Sequence, residues 1–259
     1  MKAGNIWIVC REPVHIGGAD SENRGNNNPI FRLPDRTPVI PGSSLRGALR
    51  EHAEKEKEFQ PFVGEWFGGD TSAVSPGNIS LGWGWPVWWP VHVLGYGNWW
   101  VSFPDWLNRF ADLTGTEIPP LPDNLLVTEP ELDKRTVYLR WLKLSNIAYL
   151  DPGKLPLPPE LQAHRKRLLI LKNESINTLV DMGMVRQPRV SLKENADKDG
   201  SLVDNLFSVE GIPPGASFVV SWHSRQQQTE KWESFLHREH HLGGLWGVGY
   251  GRIIVENIK

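Results

Sequence analysis

The stretch VIPGSSLRGALREHAE, Val39 to Glu54, decides how the rest of the chain is read. A Pro-Gly-Ser-Ser turn followed by straight-chain residues predicts a helix opening at Ser43 or Ser44 and running to about Lys57. Its first exposed turn carries Arg46 and Arg50, four residues apart and therefore on one face. Like charges at that spacing destabilise an isolated helix by roughly 0.2–0.5 kcal/mol, and cations near an N-terminus oppose the helix dipole. Gly47 between them costs a further ~0.5–1 kcal/mol relative to Ala. A bound anion would turn each of these penalties into a gain. Backbone N–H groups and the hydroxyls of Ser43 and Ser44 would face it, the two arginines would extend the cradle, and Gly47 would leave room. The alternative is a surface helix whose arginines pair with Glu51, Glu54 and their neighbours. Spacing alone leaves both readings open.

Upstream, Asn5 to Cys10 (NIWIVC) alternates and is β-branched, which predicts a strand. Residues 12–38 are rich in Gly, Asn and Pro, and a loop of that length in a compact domain is usually functional or disordered. Downstream, Asn78 to Pro90 reads as a strand ended by a proline break, and Asn98 to Phe103 as another strand. A short helix is predicted from Pro104 through Phe110. Residues 117–161 are irregular and Pro-rich, an insertion more than a core element. Arg165 to Asn173 and Met184 to Leu192 are strand-like, and the latter leads through a polar tip into NLFSVE as a hairpin. Ala216 to Trp222 predicts a strand, Gln228 to His237 a helix, and Arg252 to Ile258 a last strand. Strands separated by two main helices predict an α+β sandwich rather than a doubly wound sheet.

The 259 residues suffice for a sizeable core, and a formal net charge of −2 excludes a bulk polycation. Any contact with nucleic acid must use local basic patches. The single cysteine, Cys10, excludes a disulfide framework and gives no metal-cluster spacing. No run approaches 18 apolar residues and no charged-then-apolar leader is present, so a cytoplasmic protein without membrane contact is expected.

Several segments carry candidate chemistry. The run GGLWGVGYG, with Gly243, Gly244, Gly247, Gly249 and Gly251, precedes a strand and not a helix, so it is no dinucleotide or phosphate-loop fingerprint. It either lets a backbone approach a ligand or makes a tight turn. The hairpin from Arg186 to Glu210 has Arg186, Arg189 and Lys193 on one arm and Leu206-Phe207 on the other. Such a hairpin could insert between nucleotides or be a plain surface hairpin. Residues 164–167 (HRKR) form a compact basic patch. Ser43 and Ser44 have no evident triad partners, and His237, His240 and His241 lack the ligand framework of a zinc site. His15, in VHIGGAD near Asp20 and Glu22, either serves acid–base or metal chemistry or packs its loop. Trp83 and Trp85 share one face by alternation, as a sugar-stacking platform or as core.

Taken in order, HIGGAD, NNNPIFR, TPVIPGSSLRGALR, GNISLGWGWPVWWPVHVLGYGNWWVSFPDWLNRF, RVSL…NLFSVEGIPPGASF and GGLWGVGYGRIIVE span nearly the whole chain. The series resembles the RAMP superfamily of CRISPR proteins. It is most similar to the repeated backbone subunit of type III-B (Cmr-type) effector complexes. The resemblance implies a single domain over residues 1–259: a ferredoxin-like (RRM-like) palm with insertions at about residues 111–163 and a thumb hairpin at about residues 184–212. It implies copies stacked along a crRNA beside other complex subunits, in antiviral defence. Ser43, Ser44, Arg46, Arg50 and the glycine loop would hold the guide, and the thumb would kink the guide–target RNA duplex at regular intervals.

Active relatives carry an aspartate needed to cut target RNA. Matching on Pro29-Ile30 and Arg32 places Asn27 at that position, and Asn26 and Asn28 on either side are also amides. An amide cannot act as a base or bind a metal as a carboxylate does. The expectation is a guide-binding scaffold without a cofactor and with doubtful cleavage. Mg2+ or another divalent ion would be needed only if cleavage is active, with Asp20 or Glu22 substituting for the missing carboxylate and His15 a further catalytic candidate. The alternatives are an active metal-dependent endoribonuclease, a capping RAMP subunit of the same complex, and a Trp-rich carbohydrate-binding module.

Overall fold

Residues Ile6 to Cys10 are buried without a break, so strand β1 (Lys2–Cys10) is covered on both faces. Alternation sends Ile6, Ile8 and Cys10 into one apolar cluster and Trp7 into another. This computed structural model describes residues 1–17, 27–69, 76–121, 125–193 and 203–258. After β1 come β2 (Asn27–Asn28), α1 (Gly42–Lys55), α2 (Val63–Phe67), β3 (Ile79–Leu81), β4 (Trp85–Val93), β5 (Gly97–Ser102) and α3 (Pro104–Thr114). Short strands β6 (Leu126–Val127), β7 (Val137–Leu139), β8 (Leu142–Leu144), β9 (Ala148–Tyr149) and β10 (Leu168–Ile170) follow. The chain ends with α4 (Ile176–Gly183), β11 (Val185–Leu192), β12 (Val203–Gly211), β13 (Ser217–Ser224), α5 (Glu230–Leu236), β14 (Glu239–His241) and β15 (Arg252–Asn257).

The result is a mixed α+β fold around one large sheet, ordered β14-β15-β1-β13-β4-β5-β10-β6-β9 with β3 on β13 and β7–β8 on β4. β1 lies antiparallel between β13 and β15, from Lys2↔Ser224 on one side to Ile6↔Asn257 on the other. Leu45, Leu49 and Ala53 of α1, spaced by four, pack on the face holding Ile6 and Ile8. Leu107 and Phe110 of α3 cover the opposite face, where the Phe110 ring stacks on Trp7 at 4.8 Å. A second sheet of three strands, β11-β12-β2, carries the hairpin.

Two expectations change and one helix is new. The single strand expected over Asn78 to Pro90 is two, β3 and β4, and β4 does not end at Pro90 but continues to Val93. Pro90 opposes Trp100, whose N–H turns away from β4 to the Arg167 carbonyl. The pair is therefore of the non-hydrogen-bonded kind, and proline gives up no ladder bond there. Residues 117–161 are not peripheral: they supply β6 to β9, and Leu126, Val127, Leu139 and Ile147 are buried. Helix α4 was not anticipated; it buries Leu179, Val180 and Met182 and leads directly into the hairpin. Among the described residues no helix is long and apolar enough to cross a membrane.

Candidate nucleic-acid interface

Helix α1 opens at Gly42 after Pro41, with no side-chain cap and no acidic residue in its first turn. Glycine is required there because a Cβ would come within 2.8 Å of the Leu81 carbonyl oxygen and 2.9 Å of that of Gly82. Ser43 and Gly47 are exposed and Ser44, Arg46 and Arg50 half-buried. A Cβ on Gly47 would meet nothing within 4 Å, so packing within the chain does not explain that glycine.

The two arginines do not face each other as a bare cationic pair. Arg46 turns to α2, where Nη2 donates to the Phe67 carbonyl oxygen and the guanidinium lies 5.8 Å from the Phe67 ring centroid. A cation on a helix-terminal carbonyl also complements the dipole. Arg50 donates through Nε to Glu54 at 2.9 Å, an i,i+4 pair open to solvent. The puzzle posed by the sequence thus has an answer inside the chain: the two charges diverge to separate partners.

The glycine loop divides similarly. Gly243 has φ +81°, and a Cβ there would strike the His15 carbonyl oxygen at 2.1 Å; Gly251 has φ +103° and abuts the Leu242 carbonyl. These two serve the turn. Around Gly247 and Gly249 there is open space, and the side chain nearest a Cβ on Gly244 is His15, 4.0 Å away. Tyr250, 4 % exposed, anchors the loop by donating from its hydroxyl to Gln187 Oε1 at 3.1 Å at the foot of the hairpin. Burial pushes the Tyr250 pKa up.

His15 packs rather than projects. Its nearly buried ring sets Nδ1 2.8 Å from the Glu210 carbonyl oxygen, and bridges Val14↔Ile212 and His15↔Gly244 stitch this loop to the hairpin foot and the glycine loop. Asp20 lies outside the described residues. The backbone of Asn27 belongs to β2, which runs parallel to β12 with Asn27 opposite Ser208 and Asn28 opposite Val209. Asn27 is therefore tied through its backbone to a hairpin strand. Arg32 clamps this junction, with Nη1 2.7 Å from Asp181 of α4 and Nη2 2.8 Å from Glu210 of β12. Arg186 joins the same carboxylates at 3.3 Å.

Beyond that foot the hairpin changes character. Val190 opposes Leu206 and Leu192 opposes Val203, and all four are about half exposed or more, so one face is an apolar strip. Arg189 opposes the half-buried Phe207, and Lys193 closes the described part of the first arm. Elsewhere, Trp88, Trp89, Trp99 and Trp100 are core, while Trp83 is exposed and Arg109 lies 4.0 Å over the ring of Trp85. Among the described residues no group of three His, Cys, Asp or Glu side chains could hold a metal ion. Residues not anticipated from sequence are His52 and Trp246, which line a groove between α1 and the glycine loop with Ser44 and His241. The available signal was a lone tryptophan set among glycines.

Comparison with known proteins agrees with this architecture. A chain of the type III-B Cmr-beta complex bound to cognate target RNA superposes with a TM-score of 0.79 at 17 % identity, covering 99 % of this chain and 97 % of that one. Oligomeric Cmr4 from Pyrococcus furiosus superposes with a TM-score of 0.70 at 22 % identity, covering 100 % and 99 %. The CRISPR system endoribonuclease Csm3 of Methanothermobacter thermautotrophicus is 50 % identical over 52 residues; this stretch is 19 % of this chain and about a fifth (21 %) of that relative. The model of the RAMP superfamily matches residues 7–254, and the chain belongs to that superfamily.

Proposed function

We propose that this chain is a crRNA-binding backbone subunit of a type III CRISPR effector complex, stacking with copies of itself and other subunits along the guide. The observation that carries the reading is the hairpin: a charged, clamped foot and an exposed apolar strip of Val190, Leu192, Val203 and Leu206. Such a strip suits insertion between stacked bases, as aliphatic wedges do elsewhere in nucleic-acid recognition. Similarity to chains of Cmr assemblies, one solved with target RNA and one as an oligomer, supports the same partners. The order β15-β1-β13-β4, with α1 following β1 and α5 following β13, supports a ferredoxin-like palm within one domain.

On this reading Ser43, Ser44 and the open-sided Gly47, Gly247 and Gly249 lie along the guide. Arg46, Arg189 and Lys193 add positive potential, and Arg50 and Arg186 do so by exchanging their carboxylates for phosphates. Asn27 makes the subunit a holder rather than a cutter. The stretch shared with an endoribonuclease favours a second reading, in which target RNA is cut with a divalent ion. One experiment separates them: assemble the complex on labelled complementary RNA with Mg2+. The scaffold reading expects intact RNA; cuts at regular intervals that vanish only when this subunit is altered contradict it. Loss of co-purifying RNA in the Arg46→Glu/Arg50→Glu variant is expected on both.

A further inference from the structure

The groove between α1 and the glycine loop, about 530 Å³ in volume, holds chemistry that a phosphate cradle does not use. Its charged members cancel, because Lys55 donates to Glu51 one turn away on the same helix. What remains for a ligand is the Ser44 hydroxyl, the imidazoles of His52 and His241, and the indole of Trp246, which is 76 % exposed. An exposed indole beside imidazoles and a hydroxyl suits a nucleoside better than a phosphate.

Hydrogen bonds decide which imidazole nitrogens carry hydrogen. His240 is buried, with Nε2 3.1 Å from the Phe235 carbonyl oxygen, which can only accept; Nε2 therefore carries the hydrogen. Burial pushes the His240 pKa down to about 4, so the ring is neutral and its Nδ1 is a bare acceptor. His52 Nδ1 lies 3.0 Å from that atom in a nearly parallel ring and must donate to it. Burial first, and then the nearby His241, push the His52 pKa down as well. Held below the ordinary histidine value, His52 is mainly neutral at pH 7 and above, and there its other nitrogen, Nε2, presents a lone pair. A lone pair repels phosphate oxygens and accepts from a hydroxyl.

We infer that this groove is a ribonucleoside subsite, where a base stacks on Trp246 and the bare Nε2 of His52 accepts a hydrogen bond from the ribose 2′-hydroxyl. Deoxyribose has no such donor, so the subsite selects RNA over DNA. The inference rests on the guide-RNA reading above and deepens it.

The test compares the affinity of the full chain for short RNA, DNA and 2′-O-methyl RNA of one sequence. RNA is expected to bind several-fold tighter than the other two. His52→Asn keeps an amide donor for His240, but its oxygen stops short of the Nε2 position; it is expected to bring RNA down to the affinity of DNA. Trp246→Ala is expected to weaken RNA and DNA alike, by about tenfold. Equal affinity of the unaltered chain for RNA and 2′-O-methyl RNA overturns the subsite, as does an undiminished RNA preference in folded His52→Asn. If Arg50→Glu still abolishes RNA binding in that case, the guide-RNA reading survives alone. If the unaltered chain, alone and assembled, binds no RNA, both fall.

Discussion

On α1 the cations are already engaged, Arg46 by the Phe67 carbonyl and Arg50 by Glu54, and the helix packs its apolar stripe under the sheet. On the hairpin from Val190 outward the emphasis reverses: the apolar side chains of Val190, Leu192, Val203 and Leu206 face solvent, while Arg32 and Arg186 gather their carboxylates at the foot. The first region is complete in the free chain and offers a ligand its open edges. The second leaves apolar area uncovered, which is unfavourable by roughly 25 cal/mol for each Å² that a partner could bury. The difference teaches where to look for affinity and where for distortion. On the proposed reading the finished groove would hold a strand and the uncovered wedge would enter a stack.

The foot of the hairpin should be the most sensitive point. Arg32 is about 11 % exposed between Asp181 and Glu210, and its removal leaves both carboxylates to the longer contacts of the more exposed Arg186. Arg32→Ala is expected to lower unfolding stability by about 3 kcal/mol in a urea titration, because two short charge-assisted hydrogen bonds are lost and Arg186 replaces them only at 3.3 Å. A change below about 1 kcal/mol would mean that the hairpin does not depend on its clamp.

The α1 side should respond to pH. His240 has its pKa lowered to about 4 in the fold, against 6.5 when unfolded, so the unfolded chain binds the extra proton. Stability is therefore full above pH 6.5 and falls as pH drops toward 4, by up to about 3 kcal/mol. Unfolding midpoints of the chain and of His240→Phe across this window check the sign: the variant should show a flatter profile.

The apolar strip should separate function from stability. Val190→Ser with Leu206→Ser is expected to change unfolding stability by no more than about 0.5 kcal/mol, since both side chains are exposed. Distortion of a bound guide–target duplex should be lost. Arg50→Ala is the smallest expected effect on stability, about 0.3 kcal/mol for an exposed i,i+4 pair. Its RNA affinity should nevertheless show a salt dependence shallower by about one unit of slope. An unchanged slope would place Arg50 off the guide.

Much of this was legible because it is local. The NIWIVC strand, the helix after Gly42 and the Leu206-containing arm follow from alternation, spacing by four and a polar tip. Even the Arg50–Glu54 pair lies within one helical turn. What escaped the sequence depends on distant partners. Strands β6 to β9 are two or three residues long, too short for any period to register. Helix α4, at eight residues, is also too short to announce itself. Gly243 is dictated by His15, more than 200 residues away, and Arg46 by the end of α2. The groove imidazoles come from α1 and β14, elements that only the folded sheet brings together.

The most direct test places a fluorescent adenine analogue at successive positions of a guide–target RNA duplex in the assembled complex and reads unstacking by its emission. The account predicts raised emission at regularly spaced positions, abolished by Val190→Ser with Leu206→Ser while RNA remains bound. Uniformly stacked emission in the unaltered complex, or peaks that persist in that variant, would contradict it.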